Sequence, residues 1–158
     1  MAASKTPKSL VLGDKIKAAG PNARAWLVLV AVLAVHVFDE AVTDFLPFYN
    51  GIVSSLKEKW GFFPMFAFPS VEAWLGALIV ALTIGFALTG LVARGGLGIR
   101  VFVTFTAVMM VGNGLGHLLG SLYFGHPIPG FWSAWLVLPA ALWMAYRGFT
   151  GNWSRRPR

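Results

Sequence analysis

The chain has no cysteine and little charge: 12% of its 158 residues are charged, and six of them are acidic. The first absence removes disulfides, thiolate-ligated zinc and thiol nucleophiles from consideration. The second removes an ordinary soluble domain, where about 25% of residues are charged. With 57% hydrophobic residues and a mean hydropathy of +0.69, the composition is that of a membrane protein. The net charge of +7 would suit a nucleic-acid partner. The Lys and Arg residues, however, flank apolar runs and gather at the termini, as they do around membrane spans, so nucleic acid is set aside as a partner.

What is present is an all-α pattern of four apolar runs, expected to span a bilayer as helices over residues 25–46, 70–93, 100–123 and 131–146. A helix of ~20 residues crosses the ~30 Å hydrocarbon core. Residues 1–24 form a basic segment in which residues 9–19 could make a short amphipathic helix on an anionic membrane surface. This segment lacks the small-residue cleavage site of a signal peptide. Residues 25–147 form the transmembrane domain and 148–158 a basic tail. Pro47 to Gly51 should end the first helix, and 51–69 should be a long loop with an aromatic, interfacial stretch. Ser70 caps the second helix, with Glu72 in its first turn as an end residue. Gly112, Gly116 and Gly120 should give the third helix a smooth face for close packing.

Charge then orients the bundle. With four spans and a cytoplasmic N-terminus, eleven Lys and Arg lie inside, and only Lys57 and Lys59 lie outside. The positive-inside tendency therefore predicts a multi-pass membrane protein of four helices with both termini cytoplasmic.

Three of the six acids, Asp39, Glu40 and Asp44, sit with His36 inside the first apolar run. Ionisable groups at such depth are costly in hydrocarbon and by default mark a function. His36 and Glu40 are spaced i, i+4 and share a helix face; so are Asn113 and His117 in the third run. Asp39 and Glu40 diverge by about 100° around the axis, so one can face His36 while the other reaches a neighbouring helix. At ~1.5 Å per residue, His36 to Glu40 lies roughly 16 to 22 Å from the inner end, and Asn113 to His117 roughly 20 to 25 Å. The two groups share a depth in the outer half of the membrane, with Tyr123 and His126 just above at the outer mouth.

Imidazole plus carboxylate is a first shell suited to zinc, iron or manganese. His36, Glu40 and His117 are the candidate ligands. Glu40, Asp39 and His36 are the candidate catalytic groups. Asn113, Tyr123 and His126 are candidates for bonding a substrate or supporting the ligands. The same groups could serve as an acid–base pair or proton relay, or only as a polar network that locks the helices.

The sequence His36-Val-Phe-Asp39-Glu40, then Asn113-Gly-Leu-Gly-His117, then Tyr123 and the Pro129-Gly130 turn resembles the HXXEE-domain family of small multi-span membrane proteins, named for a His-x-x-Glu-Glu motif. The resemblance covers roughly residues 30 to 147. The chain departs at Asp39, where the family has its first Glu. The family's biochemical function is unassigned, so the resemblance implies the site residues without the reaction.

The function expected is a membrane-embedded enzyme acting on a lipid-like or small apolar molecule with a divalent metal or acid–base pair, its site opening toward the outer leaflet. A proton-coupled or metal carrier is the first alternative, although no internal repeat is visible and four spans are few unless the protein is a homodimer. A non-catalytic subunit with a polar lock is the second. A site predicts that His36→Ala and Glu40→Gln leave the fold intact; a lock predicts lost stability.

Overall fold

A computed structural model of the chain describes residues 20–61 and 65–154. It is all-helical, with no strand among those residues: α1 Pro21–Val42, α2 Phe45–Trp60, α3 Val71–Arg94, α4 Leu97–Phe124 and α5 Phe131–Thr150. The amphipathic helix expected over 9–19 and the arginines of the tail lie outside the described residues.

Five helices replace the four expected. The first apolar run does not continue as one helix to Leu46. It stops at Val42, where the Thr43 N–H and hydroxyl both donate to the Asp39 carbonyl at 3.1 and 2.6 Å. Asp44 takes the left-handed conformation (φ 55°) and turns the chain, and a new helix starts at Phe45. Pro47 therefore opens α2 rather than closing α1, since a first-turn proline forfeits no intrahelical hydrogen bond. Half of the expected long loop is helix. Its remainder is tied to α2 through Asn50, whose amide donates to the Phe68 carbonyl at 2.9 Å and accepts from the Phe68 N–H at 3.0 Å. At the start of α3, Ser70 accepts from the Ala73 N–H at 3.2 Å and Glu72 lies in the first turn, as expected.

α5 is the central helix, packed along both α1 and α4, while α3 packs on α1 and scarcely touches α4. Small buried residues, Ala134, Ala140, Ala141 and Ala145 on α5 with Ala107 on α4, let the backbones approach. The glycine stripe of α4 does this only at Gly120, where a Cβ would stand 2.8 Å from Ile128 Cδ1 in the turn before α5. A Cβ at Gly112 or Gly116 would meet nothing within 4 Å. The helix contact itself runs through Gly114, where a Cβ would stand 3.3 Å from Leu138 Cβ, and through Gly148 of α5, which lies against Thr104.

α5 lies antiparallel to α1 and α4. Its C-terminal turn meets Asn22 through Arg147 (2.7 and 3.0 Å) and Arg100 through the Gly148 and Phe149 carbonyls (2.8 and 2.9 Å). Cations at a helix C-terminus satisfy its free carbonyls and its dipole together. Trp26 Nε1 donates to the Gly85 carbonyl at 2.8 Å and holds α1 to α3.

Three helices, α1, α3 and α4, are long and apolar enough to cross a membrane. In the most apolar window of α3 only 11% of residues are buried in the protein. Its exterior, with Ile79, Val80, Ile84 and Phe86 exposed, calls for an apolar surrounding. α5 falls short of that standard with its tryptophans, Pro139 and Arg147. It is also the helix best shielded by its neighbours.

Candidate metal centre

α1 ends at Val42, so His36 and Glu40 project together from its last two turns. Glu40 Oε1 stands 3.3 Å from His36 Nε2 and 3.3 Å from His117 Nε2, which α4 supplies. All three residues are buried, and their ligand atoms lie within 4.8 Å of one another. The two imidazoles are nearly perpendicular (83°) with centroids 4.8 Å apart.

The surroundings decide which ring nitrogens carry protons. His117 Nδ1 lies 2.7 Å from the Pro129 carbonyl, an oxygen that can only accept. The proton is therefore on Nδ1, and Nε2 is the ring nitrogen turned toward Glu40. For His36 the logic runs through Ser133 on α5. The Ser133 backbone N–H donates to Asp39 Oδ2 at 2.9 Å, which makes that oxygen an acceptor. The Ser133 hydroxyl then gives its proton to the same oxygen at 2.6 Å, a stronger bond than its 3.2 Å alternative to the Gly130 carbonyl. With its proton committed, Ser133 Oγ accepts from His36 Nδ1 at 2.7 Å. His36 Nε2 is thus the ring nitrogen turned toward Glu40, 3.3 Å from its Oε1, and it makes no well-aligned hydrogen bond among the described residues.

Two imidazole nitrogens and a carboxylate oxygen therefore converge at a buried site. Such a set needs a positive charge among its members, either a proton on an imidazole or a metal ion. The two separations from Glu40 Oε1 fit an ion. Two ligand atoms ~2.05 Å from a tetrahedral zinc lie about 3.3 Å apart. Two histidines and one glutamate also match the protein ligands of one class of catalytic zinc site.

The turn before α5 roofs the centre. Ser121 donates to the His117 carbonyl (2.8 Å) and accepts from the Ile128 N–H (3.0 Å), which pins the turn to α4. Gly130, at φ +81°, lies against both rings. A Cβ there would stand 2.7 Å from His117 Cε1 and 3.0 Å from His36 Cε1. Phe45, the first residue of α2, covers His117 with ring centroids 5.7 Å apart.

Of the residues singled out in the sequence, His36, Glu40 and His117 come together. Asp39 stands behind His36, joined to it through Ser133. Asn113 reaches the edge, its Nδ2 at 3.5 Å from His117 Nε2 and its Oδ1 buried without a partner. Tyr123 is 85% exposed and points away, and His126 is exposed against Phe124. Both follow the C-terminal turn of α4 around its outer side, so neither sits over the cluster. Ser133 and Phe45 escaped sequence reasoning. A single serine near the start of an apolar helix has many roles, and its depth relative to His36 was the one available signal.

The site does not open on the α2 side, as expected, because the Pro129–Gly130 turn and Phe45 close it there. Its space lies on the opposite side, a cavity of about 310 Å³ bounded by His36, Glu40 and Asn113 at one end and Trp26 and Phe102 at the other. A smaller cavity of about 150 Å³, lined by Asn22, Arg147 and Asn152, sits at the far end of the bundle.

The fold and cluster define a membrane-type helical protein with a buried His/Glu centre able to hold a metal ion. Residues 26–144 match the family model described as a protein of unknown function with HXXEE motif, and the chain belongs to that family. No curated protein and no solved structure matches it.

Proposed function

We propose that this protein is a membrane-embedded, metal-dependent enzyme acting on a lipid-like or small apolar substrate. One observation carries the reading: hydrogen bonds at Nδ1 to Ser133 and Pro129 turn both imidazole Nε2 atoms toward Glu40 Oε1, each at 3.3 Å. His36, Glu40 and His117 are the ligands of a divalent ion, zinc, iron or manganese. Asp39 acts through Ser133 to hold His36 in its ligating tautomer, the part that outer hydrogen-bond partners play at metal-bound histidines. Asn113 lines the cavity and carries a buried amide oxygen without a partner among the described residues, so it is placed to bond a substrate's polar group. An ion at this place supplies Lewis acidity toward a carbonyl or phosphoryl oxygen.

The reading extends to topology. α5 runs beside α1 and α4 from the level of the site to the arginine-rich end, which supports a fourth crossing. Arg24, Arg94, Arg100 and Arg147 then face the cytoplasm of a bacterial cell, and Lys57 and Lys59 face outward.

A second reading, an acid–base or proton-carrying centre, draws on the continuous bonds from Asp39 through Ser133 to His36. The 3.3 Å separations favour the ion. Elemental mass spectrometry of the full-length protein, purified in detergent, decides between them. Near-stoichiometric zinc, iron or manganese in the parent, lost in monodisperse His36→Ala and His117→Ala variants, is the expected result. No metal after reconstitution with each ion would leave the proton reading.

A further inference from the structure

The cavity beside the centre is not an enclosed void. It is a lengthwise cleft. α3 and α4 scarcely touch along it, while α1 forms its floor. Ile84 on one lip is 53% exposed and Phe102 on the other 45%. Both are large, apolar and part of the lining, so the cleft opens sideways, through the surface where α3 and α4 present their apolar exteriors. Its walls are apolar except at one end. There Glu40, His36 and Asn113 meet it, the last with its buried, unpartnered Oδ1. From Glu40 to Trp26 the floor runs 14 residues along α1, about 21 Å of helical rise. One leaflet's hydrocarbon is ~15 Å deep. A slot of that length, apolar along its sides, polar at one tip and open to the lipid phase, has the shape and chemistry of an extended hydrocarbon chain bearing a polar head.

We infer that this cleft seats a single acyl chain, with its polar end at Glu40, His36 and Asn113 and its tail running between α3 and α4 toward Trp26 and Phe102. The inference rests on reading the His/Glu cluster as the reacting centre, and it names the substrate class: a chain-bearing amphiphile whose polar end lies at that cluster. In the orientation proposed above the tail points inward from the outer half of the membrane, as the chains of outer-leaflet lipids do. The chain has two possible sources, a bilayer phospholipid or a free fatty acid.

Photo-crosslinking separates these. The full-length protein in phosphatidylcholine–phosphatidylglycerol nanodiscs is irradiated with either a phospholipid or a free fatty acid carrying a diazirine near the chain end, and adducts are mapped by peptide mass spectrometry. The expected adducts concentrate on Trp26, Leu82, Phe102 and Thr106. Ala81→Trp and Thr106→Trp, which fill the cleft from opposite walls, should cut those adducts about tenfold. Val80→Trp, on the exposed outer side of α3, should not. Labelling from the phospholipid assigns the chain to bilayer lipid, and labelling from the fatty acid alone assigns it to a free amphiphile. Adducts spread evenly over the outer faces, or undiminished in both cleft-filling variants, would overturn the inference. Metal content is read on the same samples. Cleft labelling without metal sinks only the metal centre, and metal with uniform labelling sinks only the cleft.

Discussion

Ser133 shows how much one hydroxyl can decide. It accepts a hydrogen bond from His36 Nδ1–H and donates one to Asp39, so a single hydroxyl links a carboxylate to the tautomer at the centre. Ser133→Ala removes that link at little cost in volume. Metal affinity should fall by roughly 10- to 100-fold, the usual effect of losing an outer partner of a ligating histidine, with the helices intact. Competition with a chelating dye measures it; unchanged affinity would mean that His36 needs no orienting group. Gly130 is the complementary case. Gly130→Ala adds the ~1–2 kcal/mol strain of a left-handed alanine and drives a Cβ into both imidazoles. Lost metal together with a lower melting temperature is expected in a detergent thermal scan. A melting temperature equal to the parent's would show that the turn can yield.

At the scale of the elements, the break between α1 and α2 is the decisive feature. Asp44 is the one non-glycine residue with positive φ among those described. Aspartate tolerates that conformation better than most residues, and a β-branched side chain does not. Asp44→Val should therefore cost about 1–2 kcal/mol, while Asp44→Gly should be neutral or slightly stabilising. Equal melting temperatures for the two variants would show that the turn is not held by this residue's backbone. The break also swings Phe45 over His117, so the element boundary shapes the site as well as the fold. Between α4 and α5 the close approach rests on Gly114 near the site and on Gly148, against Thr104, at the far end. Gly114→Leu should separate the pair and move His117 away from Glu40, giving loss of metal together with loss of stability.

The molecule as a whole is polarised along its helices. Arginines at one end hold the termini of α1 and α5 together, and aromatic side chains and the Pro129–Gly130 turn close the other. Because the chain has no cysteine, single-cysteine variants report each end without background. In intact cells Lys57→Cys should react with a membrane-impermeant maleimide, and Gly98→Cys should react only after permeabilisation. The reverse pattern would invert the proposed orientation. Reaction of both in intact cells would sink the four-crossing topology.

Much of this was legible in composition and spacing. The helical class, the apolar surround and the pairing of His36 with Glu40 follow from hydrophobic run length and the 3.6-residue period, which are local properties. The divergence of Asp39 from Glu40 is equally local, and it does send one carboxylate to the neighbouring helix. Three other features were decided only by packing. The stripe at Gly112, Gly116 and Gly120 marked a face that could pack closely, yet Gly114 carries the contact, because the partner helix chooses the face. Pro47 reads as a helix end in isolation and becomes a helix start once Asp44 turns the chain. The proton positions on the two histidines depend on a carbonyl 12 residues away and a serine 97 residues away. By themselves, hydrophobic run length and helical spacing thus pointed to His36, Glu40 and His117 as buried polar groups, while misplacing Asp44, which is exposed, and missing Ser133, which is buried. Tertiary structure alone decided which of their atoms face one another, since hydrogen-bond direction is a property of juxtaposed groups and leaves no periodic trace in the chain.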